Sequence, residues 1–257
     1  MPGALTIDVG NSTAAWVLWE AGVPGVRGRI AHAELRGGGP PEVFVDAWRG
    51  SARVGIASVE RESVSALLLQ PRPEGEPPRT FLSAADLEVP IAPEVTRHER
   101  IGVDRLLNTL GWTTQAPGGP AVLVDFGTAI TIDAVDAAGR FAGGVILPGA
   151  TLLSASLVQG TARLPKVEPS PDPRDPAVGH ETRSAIARGV GGLLRGGVAH
   201  HIGRIRAWVG QGEGRQPAPV VATGGDAEQW AQYLPEIERV EPLLTHLGLL
   251  AALEATS

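Results

Sequence analysis

Two segments of the chain share a run of residue types that suits the binding of phosphate and a cation. Asp8–Asn11 and Asp125–Thr128 each follow a short apolar stretch and read Asp, any residue, Gly, then Asn or Thr. The glycine lets the backbone turn tightly and bring its N–H close to an anion, and the aspartate can hold a hydrated cation. A single copy is typical of an ordinary hairpin turn, but two matching copies favour phosphoryl transfer by positioning and charge neutralisation.

Two further motifs point to the same chemistry. Thr223–Asp226 contains two adjacent glycines between an apolar stretch and a predicted helix, a geometry in which backbone and a helix N-terminus can accommodate an adenosine or a phosphate. Gly102–Arg105 opens another predicted helix and places Asp104 in its first turn. A carboxylate there can act as a base, or it can simply stabilise the helix dipole.

Composition excludes several other chemistries. The 257 residues include no cysteine, so disulfides, cysteine-ligated metals and thiolate nucleophiles are absent. The single lysine, Lys166, lies between Pro165 and Val167, so there is no Walker A loop. A net charge of −6 argues against nucleic-acid or anionic-membrane partners. With no signal-peptide pattern and no apolar stretch long enough to span a bilayer, we expect a cytoplasmic protein without a membrane partner.

Hydrophobic patterning predicts an α/β protein that must position these motifs. In the first half we expect a hairpin, a third strand, a helix, a buried strand, a helix, a proline-rich loop and a further helix: Ala4–Val9 with Ala14–Trp19, Val26–Leu35, Pro41–Trp48, Arg53–Ser58, Arg61–Leu69, Pro71–Pro78 and Val103–Thr113. In the second half we expect four strands, three helices and a proline-rich loop: Ala121–Asp125, Ile130–Val135, Phe141–Leu147, Pro219–Ala222, Thr182–Val209, Ala227–Tyr233, Leu243–Ala255 and Pro165–Pro176.

The two Asp-x-Gly segments also form a weak internal repeat. Leu5–Ser12 resembles Leu123–Ala129, and each copy is followed by a second apolar strand and a glycine-containing turn. Two halves that begin alike suggest a duplicated domain with a cleft between the copies. The Pro/Gly-rich segment Gln115–Pro120 is the predicted boundary, which gives domains of residues 1–115 and 116–257.

Taken together, the motifs resemble the actin-like, sugar-kinase and Hsp70 ATPase superfamily, which is built from two ribonuclease-H-like domains. Within it the chain closely resembles type III pantothenate kinase. Six segments carry the resemblance, in family order: Asp8–Ser12, Gly102–Leu106, Val124–Asp133, Gly143–Gly149, Ala162–Val167 and Ala222–Asp226.

The resemblance implies transfer of the γ-phosphoryl group of ATP to the primary hydroxyl of pantothenate, the first step of coenzyme A biosynthesis. Asp104 would be the general base. Arg105 would hold pantothenate, together with the backbone of Gly102 and Val103. Thr182 matches a threonine that reaches the substrate, and Val95 stands where the family usually has a tyrosine in the pantothenate pocket.

The resemblance also implies sites for ATP and two cations. Asp8 would lie near Mg²⁺, and Asp125 matches a ligand of a monovalent cation, K⁺ or NH₄⁺. The residues implied in ATP binding are those of the first phosphate loop, the threonine of the second and the glycine pair of the adenosine region: Gly10, Asn11, Ser12, Thr13, Thr128, Gly224 and Gly225. In the family the cation site and the threonine contact lie at a dimer interface, so a homodimer is implied.

Two other functions stay open at this point. The fold also serves other small-molecule kinases and exopolyphosphatase-like hydrolases, but these would lack the ordered Gly102–Arg105 and Gly143–Gly149 motifs. Some relatives were first described as accessory factors for transcription. A non-enzymatic regulator would be expected to lose Asp104 or Asp125, or to carry a basic DNA-reading helix, and this chain does neither.

Overall fold

A computed structural model describes residues 3–37, 39–58, 78–115, 119–174, 176–210 and 218–256. The chain divides into two compact units, of which the first comprises Met1–Pro90, Thr96–Pro117 and Leu244–Ser257, and the second Ile91–Val95 and Gly118–Leu243. Neither unit is continuous in sequence, whereas the predicted division into 1–115 and 116–257 was. The predicted helix Arg61–Leu69 and residues 71–77 of the predicted proline-rich loop lie outside the described residues.

The first unit is a five-stranded mixed sheet with helices. Its elements, in chain order, are β1 (Ala4–Val9), β2 (Thr13–Glu20), β3 (Val23–Ala31), α1 (His32–Gly37), α2 (Glu42–Gly50), β4 (Arg53–Ser58), β5 (Arg79–Leu82) and α3 (Val103–Gln115), together with the last helix of the chain, α7 (Leu244–Ala255). The strand order is β3-β2-β1-β4-β5. The first three strands are antiparallel, and β4 and β5 run parallel to β1.

The core of the first unit forms where α2 packs on the sheet. Trp16 of β2 makes an edge-on contact with Phe44 of α2, and Phe44 makes another with Trp48, each with 5.6 Å between ring centroids. Leu5 and Ile7 of β1 complete this buried cluster. Because β1 is the central strand and is buried by its neighbours, its end is a fixed point on which a functional loop can be built.

The second unit repeats this architecture. Its elements are β6 (Ala121–Phe126), β7 (Ala129–Val135), β8 (Phe141–Pro148), α4 (Ala150–Gly160), α5 (Thr182–Val209), β9 (Val220–Thr223), α6 (Ala227–Ala231) and β10 (Arg239–Val240). The strand order is β8-β7-β6-β9-β10, with three antiparallel strands followed by two parallel ones. Each strand therefore has a counterpart in the first unit, and the duplication expected from the repeat is confirmed.

Some element boundaries differ from the predicted ones. The strand predicted over Val26–Leu35 was wrong at its C-terminal end, because the chain leaves β3 after Ala31 and α1 begins at His32. The backbone N–H of His32 donates to the Ser12 carbonyl at 3.1 Å, and that of Ala31 donates to the Glu34 carboxylate at 3.3 Å. The short strands β5 and β10 and the apolar helix α4 were not predicted. In the part of the chain that the structure describes, no helix has both the length and the apolar character needed to cross a membrane.

Candidate active site

The first Asp-x-Gly segment forms a tight turn at the end of the central strand β1. Asp8 is half-buried and pairs in register with Ala15 on β2 and Ala57 on β4. The backbone N–H of Gly10 donates to the Thr13 carbonyl at 3.0 Å, which closes the turn. Asn11 is exposed at its tip. The strand thus fixes the aspartate and the loop stays accessible. The Gly10 N–H, however, donates within the turn, so the expectation that this N–H approaches an anion was wrong.

The second Asp-x-Gly segment forms a similar turn at the end of β6. Asp125 is half-buried and pairs in register with Thr131 on β7 and Thr223 on β9. The N–H of Gly127 donates to the Ala129 carbonyl at 3.2 Å, and Thr128 is exposed. The two aspartates therefore occupy equivalent positions in the two sheets, each at the end of the central strand.

Gly149, the last residue of the Gly143–Gly149 motif, packs closely against the backbone of the second turn. The N–H of Gly149 donates to the Thr128 carbonyl at 2.9 Å. A methyl group on Gly149 would overlap the Gly127 carbonyl oxygen and lie 2.6 Å from the Thr128 carbonyl oxygen. Only glycine allows this close approach of two backbones, which explains in physical terms why the motif ends in that residue.

The Thr223–Asp226 turn packs against the same strand end. Gly224 has φ = +95°, a conformation that L side chains rarely adopt. A methyl group there would overlap Asp125 Oδ1 and lie 2.6 Å from the Phe126 carbonyl oxygen. The Asp226 N–H donates to that same carbonyl at 3.1 Å. Three motifs that are far apart in sequence therefore meet around Asp125 and its turn.

Oxygen donors, rather than nitrogen or sulfur, characterise these strand ends. The Thr223 hydroxyl is buried beside Asp125 in the register and has no hydrogen-bond partner in the structure as described. Among the described residues, no three His, Cys, Asp or Glu side chains cluster in a way that could enclose a metal. The donor set suits a cation that binds a carboxylate and hydroxyls and shares the rest of its coordination with water or a ligand.

Asp104 occupies the first turn of α3, where its carboxylate folds back towards Gly102. A methyl group on Gly102 would overlap Asp104 Oδ1, so only glycine leaves room for that position. The Arg105 N–H donates to the same oxygen at 2.9 Å. The Arg105 N–H also lies 3.2 Å from the Gly102 carbonyl, to which it donates in the first helical turn. Both features fix the carboxylate at the start of the helix.

Burial raises the pKa of Asp104 above the usual value of 3.8 for an aspartate. The hydrogen bond from the Arg105 N–H and the charge of Arg105 act in the opposite direction, but they do not cancel the loss of hydration. A carboxylate with a raised pKa is a stronger base than an ordinary one, and this is the tuning expected of a general base. The sequence did not reveal this shift, because burial depends on packing.

The remaining predicted site residues occupy separate positions. Val95 belongs to the second unit, where its side chain lies 4.0 Å from the position of a methyl group built on Gly143. Thr182 is the exposed first residue of α5, next to a capping box formed by Glu181 and Ser184. Gly225 is exposed, as is Lys166, which agrees with the surface position expected of the single lysine.

Sequence reasoning missed the supporting role of several glycines. Gly102, Gly149 and Gly144 each leave space for a neighbouring group, and in the case of Gly144 that group is the buried carboxylate of Asp133. Asp133 lies within β7, and Gly144 lies opposite it on β8. The glycines were visible as motif letters, but the contacts that require them became evident only in the folded chain.

Comparison with known proteins agrees with these motifs. The family model described as type III pantothenate kinase matches residues 4–204. The type III pantothenate kinase of Synechococcus elongatus is 40% identical over 197 residues, which are 75% of this chain and 71% of that protein. That of Thermomicrobium roseum is 32% identical over 267 aligned positions, covering 97% of this chain and 96% of its own.

Solved structures show the same fold at low identity. A Campylobacter jejuni protein described as a member of the Baf transcriptional-activator family has a TM-score of 0.59 at 20% identity, covering 98% of both chains. A Sinorhizobium meliloti protein described as a 2-dehydro-3-deoxygalactonokinase has a TM-score of 0.54 at 14% identity, covering 98% of this chain and 99% of that one. These neighbours share the two-sheet α/β fold, and the family match over most of the sequence shows that the chain belongs to the type III pantothenate kinases.

Proposed function

We propose that Asp104 is the general base with which this chain carries out its family's reaction. That reaction is the ATP-dependent phosphorylation of pantothenate to 4′-phosphopantothenate, the first step of coenzyme A biosynthesis. The observation that carries the proposal is the environment of Asp104, whose carboxylate is fixed against Gly102 and has a raised pKa. Asp104 is the only carboxylate of the Gly102–Arg105 motif, and the resemblance implies that this motif contacts the substrate.

The expected role of Asp104 is to accept the proton of the pantothenate hydroxyl as the phosphoryl group arrives. In a loose transition state this proton leaves late, so the orientation of the base contributes more than its strength. The Arg105 N–H supports the orientation by holding one carboxylate oxygen at 2.9 Å.

We propose that ATP binds to the Asp-x-Gly turns and the adenosine-region glycines. In the first turn the residues concerned are Gly10, Asn11, Ser12 and Thr13, and in the second unit they are Thr128, Gly224 and Gly225. Support comes from the exposure of Asn11 and Thr128 and from the closed backbone geometry of both turns. These segments contain neither lysine nor arginine, and the N–H groups of Gly10 and Gly127 donate within their own turns. We therefore expect bound cations and the other backbone N–H groups to neutralise most of the phosphate charge there.

Asp8 fits the role of a Mg²⁺ ligand. Mg²⁺ is usually bound by one or two carboxylates, with substrate phosphates and water completing its shell. Asp8, at the end of β1, offers such a carboxylate beside a phosphate-binding turn. When bound, the ion would neutralise charge on the transferring phosphoryl group.

Asp125 fits the role of a monovalent-cation ligand, and K⁺ or NH₄⁺ is the cation proposed. The buried Thr223 hydroxyl, without a partner in the described structure, offers a second oxygen next to it in the register. We also propose a homodimer, supported by apolar side chains left exposed on the second unit. These include Ile146 at 63%, Leu152 at 46% and Leu193 at 66% exposure, and an interface between two copies would bury such side chains.

Five further residues are proposed to bind pantothenate. Arg105 carries the positive charge that would attract the pantothenate carboxylate, and the backbone of Gly102 and Val103 lies beside it at the start of α3. The roles that the resemblance gives to Val95 and Thr182 remain proposals. A cytoplasmic location also stays a prediction.

Replacing Gly149 by Ala is expected to raise the KM for ATP with a smaller effect on the KM for pantothenate. The added methyl group would collide with the carbonyls of Gly127 and Thr128 and displace the second turn. A displacement of about 1 Å can cost on the order of 10²-fold in rate. Steady-state kinetics with each substrate varied in turn check this. Gly160→Ala, at the other end of α4 with nothing within 4 Å, is the matched control and should behave like the wild type. Equal KM values for ATP in the two variants would contradict the role of this contact.

The proposed function is tested with purified protein, Mg-ATP and pantothenate, in buffers containing Na⁺, K⁺ or NH₄⁺. We expect phosphopantothenate to form with K⁺ or NH₄⁺ and much more slowly with Na⁺ alone. Equal rates in all three buffers would remove the monovalent-cation site at Asp125 from the proposal. Phosphorylation of a different alcohol, with none of pantothenate, would overturn the substrate assignment, and Val95 would be the first residue to examine.

A further inference from the structure

Within the first unit, the helix that carries Asp104 (α3) packs against the last helix of the chain (α7). We propose that the buried pair Asn108–Thr245, at the crossing of α3 and α7, positions Asp104 for catalysis. The inference rests on the proposed role of Asp104 as the base and adds two positioning residues outside the six segments that carry the resemblance. Asn108 lies within residues 4–204, which the family model matches, whereas Thr245 on α7 lies beyond them.

The two helices approach so closely that their backbones touch. A methyl group on Gly111 of α3 would overlap the Leu244 carbonyl oxygen and lie 3.0 Å from the Gly248 nitrogen. A methyl group on Gly248 of α7 would overlap the Leu107 carbonyl oxygen. Reciprocal glycines of this kind allow backbone contact between helices, and any side chain at either position would force the helices apart.

A hydrogen bond between side chains lies at this crossing. The Thr245 hydroxyl donates to Asn108 Oδ1 at 2.7 Å, and these residues are 8% and 1% exposed. The surroundings are apolar, with Leu107 and Leu249 buried on the two helices next to the pair. Two helices that touch only through leucine side chains can pack in several registers. A polar pair buried among the leucines forms its hydrogen bond in only one of these registers. A slip of one turn would move Asp104 by about 5.4 Å.

The helical period connects this pair with the catalytic carboxylate. Asp104, Asn108 and Gly111 are spaced by four and three residues, so they lie within a stripe about 60° wide on one side of α3. The bond from Thr245 and the backbone contact at Gly111 therefore determine which way this side of the helix faces. If α3 rotated about its axis, Asp104 would turn by the same angle. By preventing this rotation, the pair keeps Asp104 in place.

The partner helix α7 is itself held against the central strand. His246 Nδ1 and the Thr6 hydroxyl on β1 share a buried hydrogen bond of 3.0 Å, and Trp19 Nε1 donates to the same hydroxyl at 2.8 Å. Burial lowers the pKa of His246 to about 3, so this histidine stays neutral at physiological pH. Since β1 also carries Asp8, α7 connects the strand of one proposed site residue with the helix of another.

The test compares Thr245→Val, which keeps the shape and removes the hydroxyl, with Thr245→Ser, which keeps the hydroxyl. For Thr245→Val we expect kcat to fall by about 10-fold to 10²-fold, the range for a base displaced by up to about 1 Å. The KM for ATP should stay within about twofold. Thr245→Ser should recover most of the lost kcat. The control is Thr113→Val, because the Thr113 hydroxyl bonds only within α3, to the Leu110 carbonyl at 3.0 Å, on the side opposite Asp104.

A double-mutant cycle with Asp104→Asn separates positioning from general loss of structure. If Thr245 acts through Asp104, Thr245→Val should slow the wild type but leave the residual rate of the Asp104→Asn enzyme unchanged. Thermal unfolding of every variant gives the folded fraction to which rates are normalised. Equal kcat for wild type and Thr245→Val, failure of serine to rescue, or the same fold-loss in both backgrounds would each overturn the positioning role. Full activity of Asp104→Asn would instead overturn the proposed base itself.

Discussion

Replacing Asp104 by Asn is expected to abolish nearly all turnover while leaving the folded protein at least as stable as the wild type. The loss of a general base typically lowers the rate by about 10²-fold to 10⁴-fold. The asparagine oxygen can still accept the Arg105 N–H, so the local geometry should persist. The measurements are a coupled assay for ADP release and denaturant unfolding followed by circular dichroism.

The expected gain in stability follows from the direction of the pKa shift. Burial raises the pKa of Asp104 in the folded protein above its unfolded value, so the ionised carboxylate disfavours the folded state at neutral pH. A neutral asparagine removes that cost. The difference between variant and wild type should disappear as the pH falls through the raised pKa, where the wild-type carboxyl also becomes neutral. A marked loss of stability at pH 7 would show that the charge of Asp104 stabilises the fold and would contradict the proposed environment.

Replacing Gly224 by Ala is expected to weaken ATP binding and to destabilise the protein. The residue has φ = +95°, which costs a side chain about 1–3 kcal/mol. The methyl group would also collide with the carboxylate of Asp125 and the backbone of Phe126. Both effects act on the strand end where the proposed cation and nucleotide sites lie. We expect the free energy of unfolding to fall by at least about 2 kcal/mol and the ATP dissociation constant to rise.

The matched control for this variant is Gly189→Ala on α5. A methyl group there meets nothing within 4 Å, and its φ is not positive. The change should stabilise the helix by about 0.5–1 kcal/mol, because glycine is a poorer helix former than alanine. Denaturant unfolding and calorimetric ATP titration of both variants check these expectations. If Gly224→Ala bound ATP and unfolded like the wild type, the close packing of this turn on Asp125 would be refuted.

The repeated strand pattern allowed most of the architecture to be predicted from the sequence. Arg53–Ser58 and Thr182–Val209 have the predicted bounds, because one is a compact apolar run and the other is a long stretch without proline. The third strand was located less accurately. Most of β3 is exposed at the edge of its sheet, so burial imposes little hydrophobic pattern on its sequence.

The proposed site could be predicted only as a set of motifs. Asp8, Asp104 and Asp125 were identified from residue types and order along the chain. The sequence does not show why glycine is required beside these aspartates. A methyl group on Gly102 would overlap Asp104, and one on Gly224 would overlap Asp125, but both contacts arise only from three-dimensional packing. The raised pKa of Asp104 could not be predicted for the same reason, since it results from burial of the carboxylate in the folded chain.

Contacts between distant segments were the least predictable. Asn108 and Thr245 are 137 residues apart, and neither belongs to a recognisable motif. The last helix was expected in the second half of the chain because it follows that half in sequence, whereas it belongs to the first unit. Hydrophobic periodicity identifies a helix that must be buried, but it does not identify the partner that buries it.

The central claim is that Asp104 takes the proton from the pantothenate hydroxyl. It is tested most directly by the single-turnover rate of phosphopantothenate formation when wild-type and Asp104→Asn enzymes are each saturated with Mg-ATP and pantothenate. Binding of both substrates is confirmed by calorimetry before mixing. We predict a chemical step at least about 10²-fold slower in the variant, with binding of both substrates retained. A rate within a few-fold of the wild type would contradict the claim.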